Sequence, residues 1–277
     1  MDYIGLDELL LAALREDVGT GDITTISCIP AENRSEGAFL AKESGVICGL
    51  EIAKRVFALV DSSIVFRAQV KDGDRVEKGQ YFATVEGPSR SVLTGERVAL
   101  NFMQRLSGTA TATAKAVAEV KGTGARIVDT RKSTPGLRVL EKYAVRVGGG
   151  HNHRFNLSDG VLIKDNHISA AGGIAQAVKA ARGAVPHVMK IEVETETLEQ
   201  VQQALDAGAD IIMLDNMTNE LMSQAVKLIN GRAITEASGN MGEKNRAEVA
   251  ATGVDVISIG ALTHSVKALD ISLKFSR

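Results

Sequence analysis

Two cysteines are all the chain has, and Cys28 and Cys48 form neither a C-x-x-C pair nor a metal-ligand spacing. That excludes a disulfide-stapled scaffold and a cysteine-based metal centre, and it leaves two reduced thiols of the kind a cytosolic protein carries. An excess of charge of one sign is also missing. With 32 Lys and Arg against 34 Asp and Glu the net charge is −2, so no global field gathers nucleic acid or an anionic membrane. No apolar run approaches the roughly 18 to 20 residues of a membrane span. The opening MDYIGLDELLLAALRED has no basic leader and turns strongly charged at Arg15-Glu16-Asp17, which is not the pattern of a secretory signal. These absences predict a cytoplasmic protein with no nucleic-acid or membrane partner, and 277 residues suffice for one α/β barrel or two domains.

What is present is concentrated between Asp129 and His167. This stretch holds seven Lys or Arg against four acids, three of the five histidines and the run Gly148-Gly149-Gly150. Arg131, Lys132, His153, Arg154 and Lys164 are costly to bury unless something negative pairs with them. A solvated face would avoid that cost. The basic groups, however, follow short apolar runs (IVD before Thr130, VLI before Lys164) and therefore sit where strands end, which is where ligands bind in α/β folds.

The pattern along the chain supports that placement. Leu6, Leu9, Leu10, Ala13 and Leu14 predict an amphipathic helix over 7–16 with Asp7 as its N-cap. An acidic, turn-rich loop follows over 16–22. Strands are expected at 36–42 and 64–70, a helix at 49–60, and a turn at Asp72-Gly73. The segment VKDGDRVEKGQYFATVEG looks like the hammerhead of lipoyl and biotinyl carriers but offers no modifiable lysine in the expected hairpin, so it reads as scaffold. Helical periodicity then runs from about 92 to 120 with a break near Ser107-Gly108, and this connection is the expected domain boundary.

Beyond it, β-branched runs at 126–129, 161–164, 187–193, 210–215, 233–237 and 254–259 alternate with helical patterns at 172–182, 197–207, 218–229 and 243–251. Serial βα units argue for a parallel barrel. Its strand ends would carry Thr130-Arg131-Lys132, Lys164-Asp165-Asn166-His167, Glu192 and Glu194, Asp215-Asn216, Glu236-Ala237-Ser238-Gly239-Asn240, and Gly260 to His264, all on one face.

That face is electrically divided. Residues 129–167 carry a net +3, whereas 190–220 carry eight acids and only Lys190. A polyanion suits the first half, and a hydroxyl-rich or metal-bound group suits the second. Glu194 and Asp215 are the best candidates for ribose or Mg²⁺ ligands. Glu192, two residues from Glu194, would point to the same side of its strand with Val193 opposite; it reads equally as a direct participant or as a structural ion-pair partner. The turns at Ser238-Gly239-Asn240 and Gly260-Ala261 either cradle a phosphate on backbone N–H groups or are ordinary βα turns. His151-Asn152-His153 has H-x-H zinc spacing, but its cationic surroundings disfavour a dication.

The motifs DTRKSTPGLR, KYAVRVGGGHNHRFNLSDGVLIKDNH, IEVE, MLDN, EASGN and SIGALTHS, with EDVGTGDITT and GERVALNFMQRLSGTAT before them, closely resemble the quinolinate phosphoribosyltransferase family over essentially the whole chain. The resemblance implies an N-terminal α/β sandwich domain (1–106, joined by 266–277) and a C-terminal incomplete α/β barrel of six or seven strands (107–265). It implies a homodimer with shared active sites, or a trimer of such dimers. It also implies transfer of phosphoribose from 5-phosphoribosyl-1-pyrophosphate to quinolinate with loss of carbon dioxide, assisted by Mg²⁺, in NAD biosynthesis. Carried over residue by residue, Arg131, Lys132, His153, Arg154 and Lys164 resemble the quinolinate pocket, with Arg97 reaching in from the other subunit. Lys132, Lys164, Glu194 and Asp215 resemble the catalytic groups on the phosphoribosyl donor. Glu194 and Asp215 would hold the metal, directly or through water, and Ser238, Gly239, Asn240, Gly260 and His264 the 5-phosphate. Ser133 replaces a common Thr and Met241 a usual Ile; Ser133 keeps the hydroxyl. The alternatives are a related enzyme acting on nicotinate or another aromatic acid, and a non-catalytic phosphoribosyl or dinucleotide sensor on the same scaffold. The intact acids argue against the sensor.

Overall fold

The computed structural model describes residues 4–275; residues 1–3 and 276–277, the outer ends of the first predicted domain and of its C-terminal segment, lie outside them. The chain forms two compact units, Met1–Ala112 with Val266–Arg277, and Thr113–Ser265. In chain order the first part holds α1 (Leu6–Val18), α2 (Ile23–Cys28), β1 (Arg34–Ala41), β2 (Gly45–Val46), α3 (Leu50–Val60), β3 (Val65–Ala68), β4 (Arg75–Val76), β5 (Tyr81–Pro88) and α4 (Ser89–Glu119). Then follow β6 (Arg126–Val128), α5 (Arg138–Val147), β7 (Val161–Ile163), α6 (Asp165–Ala171), α7 (Ile174–Ala184), β8 (Ile191–Thr195), α8 (Leu198–Asp206) and β9 (Ile211–Asp215). The last elements are α9 (Asn219–Ile229), β10 (Ile234–Ser238), α10 (Arg246–Ala251), β11 (Val256–Ser258), α11 (Ala261–His264) and β12 (Ile271–Phe275).

In the first unit, β12, β1, β5 and β3 form one antiparallel sheet in that order. Along β1 every second residue from Gly37 to Ala41 is buried, the period expected when one face meets a core. Phe39 is the hub of that core, with ring centroids 6.3 Å from Phe57 and 5.6 Å from Phe66. Asp72 anchors α3 by accepting from the backbone N–H groups of Gly49 and Leu50. The hammerhead-like segment supplies β4, which pairs with β2.

The second unit is built on six parallel strands in the order β6-β11-β10-β9-β8-β7. Among the described residues no pairing joins β6 to β7, so this is an incomplete barrel with one open seam. A single bridge from His151 to Val128 starts the segment that runs beside β6 at that seam. Ile127, Val193, Ile212, Leu214, Ala237 and Ile257 pack with helix residues such as Val178, Val201, Met222 and Val249. The strand residues that alternate with these, Glu192, Glu194, Met213, Asp215, Glu236, Ser238 and Ser258, face the other way. Mostly polar groups thus project from strands whose opposite side is largely apolar, and they are held by a rigid support.

Several local expectations change. Asp7 lies inside α1, whose N-cap is Gly5 in a left-handed conformation, and the Asp7 carboxylate pairs with Arg55 instead. Helix α4 runs unbroken through Ser107-Gly108, where the absent side chain leaves room for another segment to approach. A Cβ on Gly108 would stand 2.3 Å from the carbonyl oxygen of Lys267. Strand β8 begins at Ile191 rather than 187, since Pro186 accepts from the Met189 N–H and turns the chain there. The Ser238-Gly239-Asn240 turn does not lead straight into a helix; α10 starts only at Arg246.

Candidate active site at the strand ends

The C-terminal ends of the parallel strands line a pocket of about 460 Å³ formed by Thr130, Arg131, Lys132, His153, Arg154, Lys164, Glu194, Asp215, Asn216, Glu236, Ser238, Gly239, Asn240 and their neighbours. The cationic and anionic halves of the sequence therefore meet at one rim. Their closest contact is direct: Lys164 Nζ donates to Glu194 Oε2 at 2.5 Å.

On the cationic side, the Arg131 Nε is buried with no hydrogen-bond partner. Arg154 donates to the Gly160 carbonyl oxygen at 2.8 Å. Burial, together with the nearby Arg131 guanidinium, pulls the Arg154 pKa below the usual arginine range. Two like charges and an unsatisfied buried donor are costly without an anion, and a guanidinium fork matches a carboxylate in plane and charge. Lys132 is exposed, and its backbone is pinned by Thr263 Oγ1, which donates to the Lys132 carbonyl oxygen at 2.6 Å.

The opposite side holds the acids. Glu194 and Asp215 stand at the ends of neighbouring parallel strands, and Asp215 Oδ2 accepts from the Asn216 amide at 2.7 Å. Beside them the turn after β10 is tightly built. Gly239 has φ +87°, and a Cβ there would lie 2.2 Å from Asn216 Oδ1, so only glycine fits this approach. Gly260 and His264 sit next to the Lys132 side chain: a Cβ on Gly260 would be 3.0 Å from Lys132 Cδ and 3.1 Å from His264 Cδ2. They extend the site through Lys132 rather than lining the pocket. Arg97 is exposed on α4 in the first unit.

Below this rim lies a cluster that the sequence did not reveal as such. His153 Nε2 is 3.2 Å from Glu192 Oε2 and 3.6 Å from Glu236 Oε1, and both glutamates are buried. Burial, reinforced by the Glu192 carboxylate, pushes the Glu236 pKa up to about 7. Burial opposes a charged His153, while the Glu192 and Glu236 carboxylates outweigh it and raise the pKa. The Arg154 backbone N–H nevertheless donates to His153 Nδ1 at 2.8 Å, which requires a lone pair on Nδ1. Because that donor is fixed in the main chain, we assign the histidine proton to Nε2, facing Glu192. His151 does not join the cluster, so the H-x-H pair is not a paired ligand set. The sequence places Glu236 at a strand end but assigns it no role, although a glutamate inside the apolar strand ITEAS was the available signal.

His153 is placed by a buried network. Asp129 accepts from the His153 backbone N–H at 3.0 Å and from the Asn152 amide at 2.6 Å. Lys142 donates to the His153 carbonyl oxygen at 2.9 Å and pairs with Asp129.

Comparison with known proteins gives this geometry a family. Residues 22–107 match the model of the quinolinate phosphoribosyl transferase N-terminal domain, and residues 109–274 match that of its C-terminal domain. The chain belongs to the quinolinate phosphoribosyltransferase family. Among its relatives in that family, a probable nicotinate-nucleotide pyrophosphorylase [carboxylating] of Bacillus subtilis is 48% identical, over 99% of this chain and 94% of the relative. The chloroplastic nicotinate-nucleotide pyrophosphorylase [carboxylating] of Arabidopsis thaliana is also 48% identical, over 97% of this chain and 82% of its own length. Among solved structures, NadC from Streptococcus pyogenes superposes with a TM-score of 0.93 at 45% identity, covering all of both chains. The nicotinate-nucleotide pyrophosphorylase of Francisella tularensis gives 0.94 at 39% identity, again over all of both chains.

Proposed function

We propose that this protein transfers phosphoribose from 5-phosphoribosyl-1-pyrophosphate to the ring nitrogen of quinolinate, releasing pyrophosphate and carbon dioxide and forming nicotinate mononucleotide for NAD synthesis. The observation that carries the reading is the meeting of Arg131, Lys132, Arg154 and Lys164 with Glu194 and Asp215 around one pocket, in a chain of this family. Quinolinate carries two adjacent carboxylates. Arg131, Arg154 and Lys164 hold them, and Arg131 Nε gains the acceptor it lacks. Departure of pyrophosphate leaves positive charge on the sugar, so acids near the ribose and cations near the leaving group stabilise opposite ends of one transition state. Lys132 and Lys164 take the leaving-group side, and Glu194 and Asp215 the sugar. Ser238, Gly239, Asn240, Gly260 and His264 receive the 5-phosphate.

Two carboxylates at neighbouring strand ends are hard oxygen donors of the kind that hold Mg²⁺ while it keeps several waters, so Glu194 and Asp215 fit that ion. When bound with the donor it neutralises pyrophosphate charge. The protein works as a homodimer in which Arg97 of each subunit completes the other subunit's pocket, alone or as part of a trimer of such dimers. Its two free cysteines, one exposed and one buried, suit a reducing cytoplasm. Among the described residues no helix is long and apolar enough to cross a membrane.

One assay tests the reading. Quinolinate, 5-phosphoribosyl-1-pyrophosphate and Mg²⁺ are supplied together while pyridine absorbance, pyrophosphate and carbon dioxide are followed. Equal release of pyrophosphate and carbon dioxide is expected; release of neither would refute it.

A further inference from the structure

The proposed reaction leaves the two buried acids beside His153, Glu192 and Glu236, without a role. Glu236, the third residue of β10, is only 3% exposed, and its Oε1 has no hydrogen-bond partner. It also belongs to two cavities. One is the pocket at the C-terminal strand ends. The other is a chamber of about 860 Å³ lined by the opposite ends of the same strands, including Arg126, Val161, Ile211 and Ile234. His153 and Arg154 line both as well. In most barrels packed apolar layers fill this level. Here a layer of two carboxyls and an imidazole separates the reacting pocket from a chamber rimmed by the exposed Arg126, Arg146 and Lys190.

This inference rests on the proposed reaction. When the quaternised ring loses carbon dioxide, the bond from its second carbon to the carboxylate breaks and the electron pair stays on that carbon, which must then take a proton. We propose that Glu236 is the acid that supplies that proton, and that it is recharged from the chamber on its far side. Its O–H bond breaks as the ring C–H bond forms, the glutamate is left as a carboxylate, and water entering the lower chamber returns one proton. Nothing is oxidised or reduced.

The groups around Glu236 suit such a cycle. Burial, reinforced by Glu192 on β8, disfavours a negative charge on Glu236, so that a substantial fraction of Glu236 still holds a proton at neutral pH. After transfer, His153 Nε2–H at 3.6 Å, Ser258 on β11 and Lys164 after β7 stabilise the new carboxylate. Met213, the residue paired with Glu236 on β9, adds no charge.

The test compares wild type, Glu236→Gln and Glu236→Asp between pH 6 and 9, using quinolinate labelled in its 2-carboxylate and measuring pyrophosphate and labelled carbon dioxide separately. General acid catalysis is commonly worth about 10²-fold or more. Glu236→Gln should therefore release pyrophosphate in its first turnover but carbon dioxide about 10²-fold more slowly than wild type, with the phosphoribosylated dicarboxylate accumulating. Glu236→Asp should recover part of the carbon dioxide rate. In wild type, carbon dioxide release should fall as pH rises through about 7 while first-turnover pyrophosphate formation does not, a readout that stands even if a variant fails to fold. A folded Gln variant with a wild-type ratio and pH profile would overturn the proposal, as would a wild-type carbon dioxide step that is flat across this range. Absence of pyrophosphate from the wild type would instead refute the underlying reaction.

Discussion

Asp129 and Lys142 form an ion pair with no exposure of either side chain. It ties the end of β6 to α5 and to the main chain at His153. Burial raises the Asp129 pKa and lowers that of Lys142, and the attraction between them opposes both shifts. Such a pair contributes little net stability, yet losing one member leaves an uncompensated buried charge. Lys142→Met should therefore cost about 3–5 kcal/mol, whereas adding Asp129→Asn should recover part of that loss. Urea unfolding of the two single variants and the double variant measures the coupling. Strictly additive costs would show that the pair does not act as a unit.

A second prediction concerns the turn beside Asp215. At Gly239, with φ +87° and Asn216 Oδ1 only 2.2 Å from an added Cβ, Gly239→Ala must strain the backbone, displace Asn216, or do both. Conformations of this kind cost on the order of 1–3 kcal/mol. The expected result is a lower melting temperature and a KM for 5-phosphoribosyl-1-pyrophosphate raised about tenfold or more, by roughly 1.4 kcal/mol of lost binding. An unchanged KM would separate this turn from the donor site.

These two features show what was legible in the sequence and what was not. The strand ends were legible because a parallel unit repeats: each apolar run is followed by its polar residues, and all such ends share one face. The direction of Glu192 and Glu194 followed from strand alternation alone. Helix α5 was not legible, since its buried face includes Glu141 and Lys142 alongside Leu140, Ala144 and Val145, and these charges interrupt the apolar stripe that marks a helix. Lys142 answers to Asp129. The lack of a side chain at Gly108 in α4 answers to the carbonyl of Lys267, a contact far away in the chain that no local pattern encodes. The His153–Glu192–Glu236 cluster joins the seam segment to two non-adjacent strands, so it appears only when the sheet curves.

The raised pKa of Glu236 makes a stability prediction independent of catalysis. The folded value of about 7 exceeds the ordinary 4.5, so the folded state binds more protons than the unfolded state between these values. Stability contributed by this group is fully present below about pH 4.5 and is lost as pH rises through 7. At about 1.4 kcal/mol per pKa unit the loss approaches about 3 kcal/mol. Glu236→Gln should thus gain stability relative to wild type at pH 8 and show no such gain at pH 4.5. Denaturant titrations at the two pH values decide it, and a pH-independent difference would contradict the shift.

Sharing of the site between subunits has its own signature. In the proposed homodimer, Arg97→Ala would remove a cation that each subunit lends its partner, and Lys132→Ala one that each keeps. Either homodimer should be inactive. A mixture should regain up to about a quarter of wild-type activity, as expected from random exchange into hybrids with one intact pocket. No recovery after confirmed subunit exchange would place Arg97 outside the partner's pocket.

Selectivity for the second carboxylate follows from the cations at the rim. Nicotinate has one carboxylate where quinolinate has two, so bound nicotinate would leave one of Arg131, Arg154 or Lys164 without its counter-charge. An unpaired buried cation costs about 3–5 kcal/mol, which corresponds to a factor on the order of 10² to 10³ in affinity. Lys164 can return to Glu194, its partner at 2.5 Å without substrate, but Arg131 has no such refuge for its buried Nε. Arg131 should therefore carry most of the discrimination. Arg131→Gln should lower kcat/KM for quinolinate far more than for nicotinate and narrow the ratio between them. If both substrates lost activity equally, the second carboxylate would have to be read elsewhere in the pocket.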